Sequence, residues 1–429
     1  MNEQWAAYQD SKAFAGRVAT LYGAGEDVLA LQKARYGKLV ERFEARFGAQ
    51  KGGLCFFSAP GRTEIGGNHT DHNNGRVLAA AVDLDTIACV SATEDHTIVV
   101  DSEGFAPITV KLDNLDVREK DFGTTLALIR GTAGVMQEMG YKVGGFRATI
   151  SSSVLRGSGL SSSAAFEVLI AAILDGLYNG FIVDAKTRAV IAQKVENVYF
   201  GKPCGLMDQM ASSVGGMVTI DFKEKDAKVE AIACDFAAKG YRALRGQHAA
   251  ATMATLTDDY AAIRKEMEAV AAHFGKHVLR EVELETVESR IGEVRRACGD
   301  RAVLRALHYY DENARVLEQA AAIRGGDLPA FFDAVNRSGE SSWKLLQNVY
   351  ARPTEEQMAM GIELSRRFLH GDGAQRVHGG GFAGTIQAYV PLARLADYKK
   401  LMEDAFGAGS CTALMVRPEG AVMMPMEAE

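Results

Sequence analysis

"GFRATISSSVLRGSGLSSSAAFEVLIAAILDGLY", residues 145–178, is the stretch from which the fold can be read outward. It opens with the apolar–polar alternation of a strand, is broken by Gly157 and Gly159, and continues from about Ser162 as an apolar run of helical length. A strand, a glycine turn and a helix in succession leave unpaired backbone N–H groups and the positive end of a helix dipole where the glycines allow close approach. Such a place suits a phosphate. Serines also cap helices in general, but a cap needs one, and Ser161, Ser162 and Ser163 are all present. The segment is not a Walker A loop, since no Gly-Lys-Ser/Thr follows, nor a dinucleotide fingerprint, since the third glycine is missing.

On the N-terminal side, "GLCFFSAPG", "RVLAAAVDLDTIACVSAT", "HTIVVDS" and "APITVKLDN" read as strands, and "TTLALIRGTAGVMQEMG" as a helix. The first fifty residues are expected to be helical, with Leu31, Tyr36, Leu39, Val40, Phe43 and Phe47 at helical spacing. Past the central stretch the chain is mainly helical until "TIQAYV" and the final strand-like "ALMVRPEGAVMM". Two domains are expected, the first over 23–198 and the second over 199–412, the boundary being set where helix begins to dominate. A chain of 429 residues exceeds the usual limit of a single core. Its 47% apolar and 24% charged residues belong to a compact protein.

A net charge of -7 without any basic run argues against nucleic-acid and anionic-membrane partners. The start, "MNEQWAAYQD", has no basic, apolar leader pattern and no later stretch reaches the length of a membrane span, so a cytoplasmic protein is expected. No obligatory protein partner is evident. The 6 cysteines lack CxxC spacing and read as reduced thiols.

Three further segments concentrate chemistry. "RTEIGGNHTDHNNG", residues 62–75, reads as a glycine-rich loop dense in ionisable groups. Its "HTDH" resembles part of a metallo-hydrolase ligand set, but Gly67 stands where the first histidine is required, which makes His69 and His72 a minor metal hypothesis. "GGGFAG", residues 379–384, matches GxGxxG, yet a strand-like run follows where a dinucleotide fold needs a helix. Asp121, Phe122 and Gly123 spell DFG without an HRD partner. In "CGLMDQMASSVGG", Asp208 stands among apolar neighbours, where a carboxylate needs a cation to remain ionised.

Taken together, "APGRTEIGGNHTDHNNG", "GSGLSSSAA" and "RVHGGGFAG" resemble the three ordered motifs of the GHMP kinase superfamily, and "CGLMDQ" and "KVEN" narrow the resemblance to the galactokinases. The resemblance extends from about Phe43 onward. It implies the α+β two-domain GHMP fold, with the C-terminal strand at 413–425 returning to the first domain and the site in the cleft between domains. The implied activity is direct in-line transfer of phosphate from MgATP to the anomeric hydroxyl of galactose. Asp208 then matches the group that accepts the hydroxyl proton, and Arg62 its cationic partner. Gly157, Ser158, Gly159, Leu160, Ser161, Ser162 and Ser163 would wrap the phosphates of ATP. Ser163 and Glu196 would hold Mg²⁺. Glu64, Asn68, His69, Asp71, Gly205 and Tyr260 would face the sugar.

The departures fall in the first motif. The family reads GRVNLIGEHTDY, whereas here Glu64 replaces asparagine, Asn68 replaces the sugar-binding glutamate and His72 replaces tyrosine. One carboxylate is expected to reach the sugar from the exchanged position. The alternatives are a kinase for another pyranose and a non-catalytic galactose/ATP sensor. Such sensors lack part of the serine–alanine stretch, which is complete here.

Overall fold

The computed structural model describes residues 2–49, 53–154, 159–202, 204–247, 256–352, 354, 356–382 and 384–426. Helices α1 (Glu3–Tyr8), α2 (Lys12–Tyr22) and α3 (Glu26–Phe47) open the chain. Strands β1 (Cys55–Gly66), β2 (Arg76–Thr93), β3 (Thr97–Ser102) and β4 (Ile108–Lys111) follow, then α4 (Thr125–Glu138), β5 (Gly145–Ser152), α5 (Ser162–Tyr178), α6 (Ala185–Lys194) and α7 (Met207–Val214). Next come β6 (Met217–Asp221), β7 (Lys228–Ile232) and β8 (Tyr241–Gln247). The helical stretch comprises α8 (Thr257–His273), α9 (Leu284–Ser289), α10 (Ile291–Cys298), α11 (Asp300–Arg324), α12 (Leu328–Ser341) and α13 (Gln357–Leu369). Strands β9 (Ala374–Val377) and β10 (Thr385–Pro391), helix α14 (Leu395–Phe406), and strands β11 (Cys411–Leu414) and β12 (Val422–Pro425) complete the chain.

Among the described residues these strands form two sheets, one 8-stranded in the order β12-β1-β2-β5-β3-β4 with β6 and β7 continuing from β2, the other 4-stranded in the order β11-β8-β10-β9. The strand period explains how the first sheet is covered. Phe56, Ile87 and Cys89 point to one face and pack against the aromatic residues of α1–α3, while Phe57, Ala88 and Val90 point to the other and pack against α4 and α5. With both faces buried, β1 and β2 carry continuous apolar runs. Helix α5 is buried from Ala164 to Leu174 except at Phe166, with no wide polar face.

Three expectations need correction. Arg62 to Gly66 are the end of β1, not a loop: Arg62, Thr63 and Glu64 pair with Ala81, Ala80 and Ala79 of β2. Gly66 and Gly67 had masked the alternation, and bulges between Pro60 and Arg62 and between Glu64 and Gly66 re-aim the side chains. Gly67 is obligatory, for at φ +87 a Cβ there would lie 2.4 Å from the carbonyl oxygen of Arg76. The first sheet also runs past residue 199, because β6 pairs with β2 and β7 with β6. The final run splits: β11 pairs with β8 in the second sheet and β12 with β1 in the first, with Pro418 and Gly420 between them. Strand β8 is formed by Tyr241–Gln247, and residues 248–255 lie outside the described residues.

Candidate active site

A cleft of about 940 Å³ is lined by Arg62, Glu64, His69, Asp71, Gly205, Asp208 and Tyr260, together with Gly379 and Gly380 from the loop between β9 and β10. The others come from the end of β1, the turn after it, the first turn of α7 with the residues just before it, and α8.

Asp208 sits in the first turn of α7. Its Oδ1 accepts from Arg62 Nε at 2.6 Å and its Oδ2 accepts from the Ser161 hydroxyl. Burial acts to raise its pKa, but the Arg62 guanidinium and the Ser161 hydroxyl outweigh it and hold Asp208 below the usual carboxylate range. The Arg62 side chain is 8% exposed; its Nη1 donates to the Gly159 carbonyl at 2.5 Å and its backbone N–H to the Leu160 carbonyl at 3.1 Å. One arginine therefore ties the glycine segment to the carboxylate.

Ser161 does not cap α5 with its side chain, because its hydroxyl is turned to Asp208 and its φ is +57. The N–H groups of the first turn of α5 thus keep no side-chain cap and remain available to an anion. Gly157 and Ser158 lie outside the described residues. Ser163 Oγ is 3.5 Å from Glu196 Oε1, which also accepts from Lys202 at 3.2 Å. Gln209, next to Asp208, donates to Glu196 Oε2 at 2.7 Å. Two hard oxygens side by side, with Glu196 buried and Lys202 58% exposed, fit a divalent cation such as Mg²⁺.

On the opposite wall, a Cβ at position 205 would come 2.1 Å from Asp71 Oδ2, so Gly205 leaves room for that carboxylate. Burial, with the Asp208 charge second, pushes Asp71 up to about 6. His69 is in the left-handed region at φ +59, and its Nε2 donates to the Gly380 carbonyl at 3.0 Å; burial lowers its pKa to about 4. Tyr260 donates to the Gly381 carbonyl at 2.6 Å and stacks edge-on against Phe382 at 5.2 Å. Glu64 accepts from Arg376, and burial raises it to about 7 despite that cation. Asn68 is placed differently from the others. It has no exposed surface and does not line the cleft.

His69 and His72 stand with ring centroids 5.7 Å apart, and among the described residues no group of three or more His, Cys, Asp or Glu side chains could hold a metal. Nor is any helix of the described residues long and apolar enough to cross a membrane. Sequence reading missed Arg376, His378, His308 and Glu312. Arg376 and His378 stand inside the quoted "RVHGGGFAG", and His308 and Glu312 are one helical turn apart in "VLRALHYYDENARVLEQAAAI", a spacing that marks a shared face.

The galactokinase galactose-binding signature matches residues 41–92 and the N-terminal domain of GHMP kinases matches residues 127–216. A galactokinase of Streptomyces coelicolor is 30% identical over 386 residues, which are 88% of this chain and 94% of the relative. One of Mannheimia succiniciproducens is 29% identical over 360 residues, 81% of this chain and 88% of the relative. The crystal structure of Lactococcus lactis galactokinase complexed with galactose superposes with a TM-score of 0.77 at 23% identity, covering 90% of this chain and 99% of the other. A D-glycero-D-manno-heptose 1-phosphate kinase from Bacteriodes thetaiotaomicron superposes with a TM-score of 0.58 at 15% identity, covering 86% and 98%.

Proposed function

The chain belongs to the galactokinase family, and from that premise we propose that it transfers the γ-phosphoryl group of ATP to the anomeric hydroxyl of galactose, giving galactose 1-phosphate. The observation that carries this reading is the Asp208–Arg62 pair, held by Ser161 and Gly159 at the head of α5 and open to the cleft.

The sugar occupies the wall of Glu64, His69, Asp71, Gly205 and Tyr260, with its anomeric hydroxyl on Asp208. The triphosphate lies across residues 159–163 at the start of α5, where uncapped N–H groups receive it. Asp208 accepts a hydrogen bond from the attacking hydroxyl. Its low pKa makes it a weak base, which favours orienting that hydroxyl over early proton removal, in keeping with a loose transition state. Arg62 keeps Asp208 ionised and offsets charge as the oxygen bonds to phosphorus. Ser163 and Glu196 would hold Mg²⁺, which when bound neutralises phosphate charge. The transfer is in line and needs no phospho-enzyme. The anomeric oxygen bonds to the γ-phosphorus as the bond to the bridging β–γ oxygen breaks and ADP leaves, and the hydroxyl proton passes to Asp208 late, as the new bond forms. The complete Ser161–Ala165 stretch and the intact Asp208–Arg62 pair support turnover over mere sensing.

The test is ADP release with galactose and with 1-deoxygalactose. Turnover is expected with the first and none with the second. Equal turnover with both sugars places the accepting hydroxyl elsewhere on the ring.

A further inference from the structure

Every polar atom of Asn68 is engaged, and its partners come from parts of the chain far apart in sequence. Its Nδ2 donates to Glu64 Oε1 at 2.9 Å and to the Gly379 carbonyl at 2.6 Å. Its Oδ1 accepts from Asn348 Nδ2 at 2.9 Å and Ser342 Oγ at 3.2 Å. Its backbone N–H reaches Glu312 Oε1 at 3.4 Å and its carbonyl accepts from His308 Nε2 at 2.9 Å. The residue thus joins the turn after β1 to the glycine loop before β10, to α11, and to the end of α12.

Glu64 is the neighbour this arrangement controls. Its Oε1 accepts from both Asn68 and Arg376 Nη2, the latter at 2.5 Å. Arg376 has no exposed surface, and its other donors go to the carbonyls of Ile65 and Val377. Glu64 Oε2 accepts no hydrogen bond among the described residues, and Glu64 lines the cleft. One oxygen is fixed from two sides while the other is left for a ligand.

We propose that Asn68 is a positioning residue, and that Glu64, Asn68 and Arg376 act as one unit that sets acceptor selectivity by presenting Glu64 Oε2 to a single ring hydroxyl of a neutral pyranose. The proposal rests on the reading of the cleft as the sugar site. It differs from simple sugar binding by residue 68, whose amide never reaches the cleft. A carboxamide on a short side chain is required, because it supplies two donors on one side and two acceptor sites on the other at this reach. A carboxylate at 68 would face Glu64 Oε1 and the Gly379 carbonyl with nothing to donate. It would also leave one Arg376 between two anions.

The experiment is a cycle of shape-conserving variants, Asn68→Asp, Glu64→Gln and Glu64→Gln/Asn68→Asp, each assayed for the KM of galactose and of MgATP, with thermal melting to establish folding. Asn68→Asp is expected to raise the galactose KM at least about fiftyfold and Glu64→Gln about tenfold, with MgATP KM within about threefold of the starting protein. In the double variant the amide introduced at position 64 can donate to the carboxylate introduced at position 68, so the galactose KM is expected to fall at least about fivefold below that of Asn68→Asp alone. Multiplying effects, or equal rises in both KM values, overturn the proposal. Should Asn68→Asp fail to fold, Asn348→Ala removes one bond to Asn68 Oδ1. It is expected to raise the galactose KM about threefold and leave the MgATP KM unchanged; no change in either, or a rise in both, overturns the proposal. If the unaltered protein releases no ADP with galactose, the kinase reading fails and the selectivity claim with it. If it turns over and the effects multiply, the coupled unit proposed here is overturned while the kinase reading stands.

Discussion

Replacing Asp208 with asparagine keeps the shape of the site and removes its charge. The amide oxygen still accepts from Arg62 Nε, now 2.6 Å away, but an NH₂ group faces the Ser161 hydroxyl, which must turn to accept. The attacking hydroxyl then meets no carboxylate. A positioned acid–base group contributes about 10²–10⁴ in rate, which is about 2.7–5.4 kcal/mol of barrier. Arg62, 8% exposed, also loses its anion; because Asp208 is 32% exposed, water screens much of that loss, leaving about 1–2 kcal/mol of stability. The assay is coupled ADP release at saturating galactose and MgATP, with circular dichroism to show an intact fold. We expect kcat to fall at least about a hundredfold while both KM values stay within about fivefold. A folded variant with kcat within about tenfold of the original would refute the assignment of Asp208 as the partner of the reacting hydroxyl.

Three other perturbations separate the parts of the site. Glu64 and Asp71 are pushed up to about 7 and about 6, so both lose their charge as pH falls from 7 to 5; the galactose KM is expected to rise over that window, while kcat, set by the low-lying Asp208, stays flat. A pH profile with kcat falling in parallel contradicts this. Gly205→Ala puts a Cβ 2.1 Å from Asp71 Oδ2 and is expected to raise the galactose KM more than about tenfold without moving the MgATP KM. Glu312 is buried, but the charges of His308, Arg315 and Arg376 lower it to about 2. A depressed carboxylate stabilises the fold above its unfolded pKa of about 4.3 and loses that contribution as pH falls towards 2, so Glu312→Gln is expected to cost about 3 kcal/mol at pH 7 and much less at pH 3 by urea unfolding.

How far the sequence could be read depends on how local each feature is. The strand ending at Ser152 and the helix beginning at Ser162 were legible because each has its own period over many residues. The end of β1 was not, since paired glycines at 66 and 67 interrupt the alternation that Thr63 and Ile65 continue. Asp208 could be singled out as an acid in apolar company, but its cation lies 146 residues away, and it was the family resemblance that supplied Arg62. The setting of Asn68 was out of reach for the same reason: Glu312, His308, Asn348 and Gly379 converge on it only once the second sheet and α11 are packed against β1. The split of the C-terminal run between two sheets likewise depends on which edge strands, β8 and β1, are available to pair.

The most direct measurement is kcat/KM for galactose beside its epimers glucose, gulose and talose, with phosphorus NMR of each product. Galactose is expected to be the best acceptor, with an anomeric phosphate as its product. A higher kcat/KM for another of these sugars, or phosphate on any other carbon of galactose, would contradict the assignment.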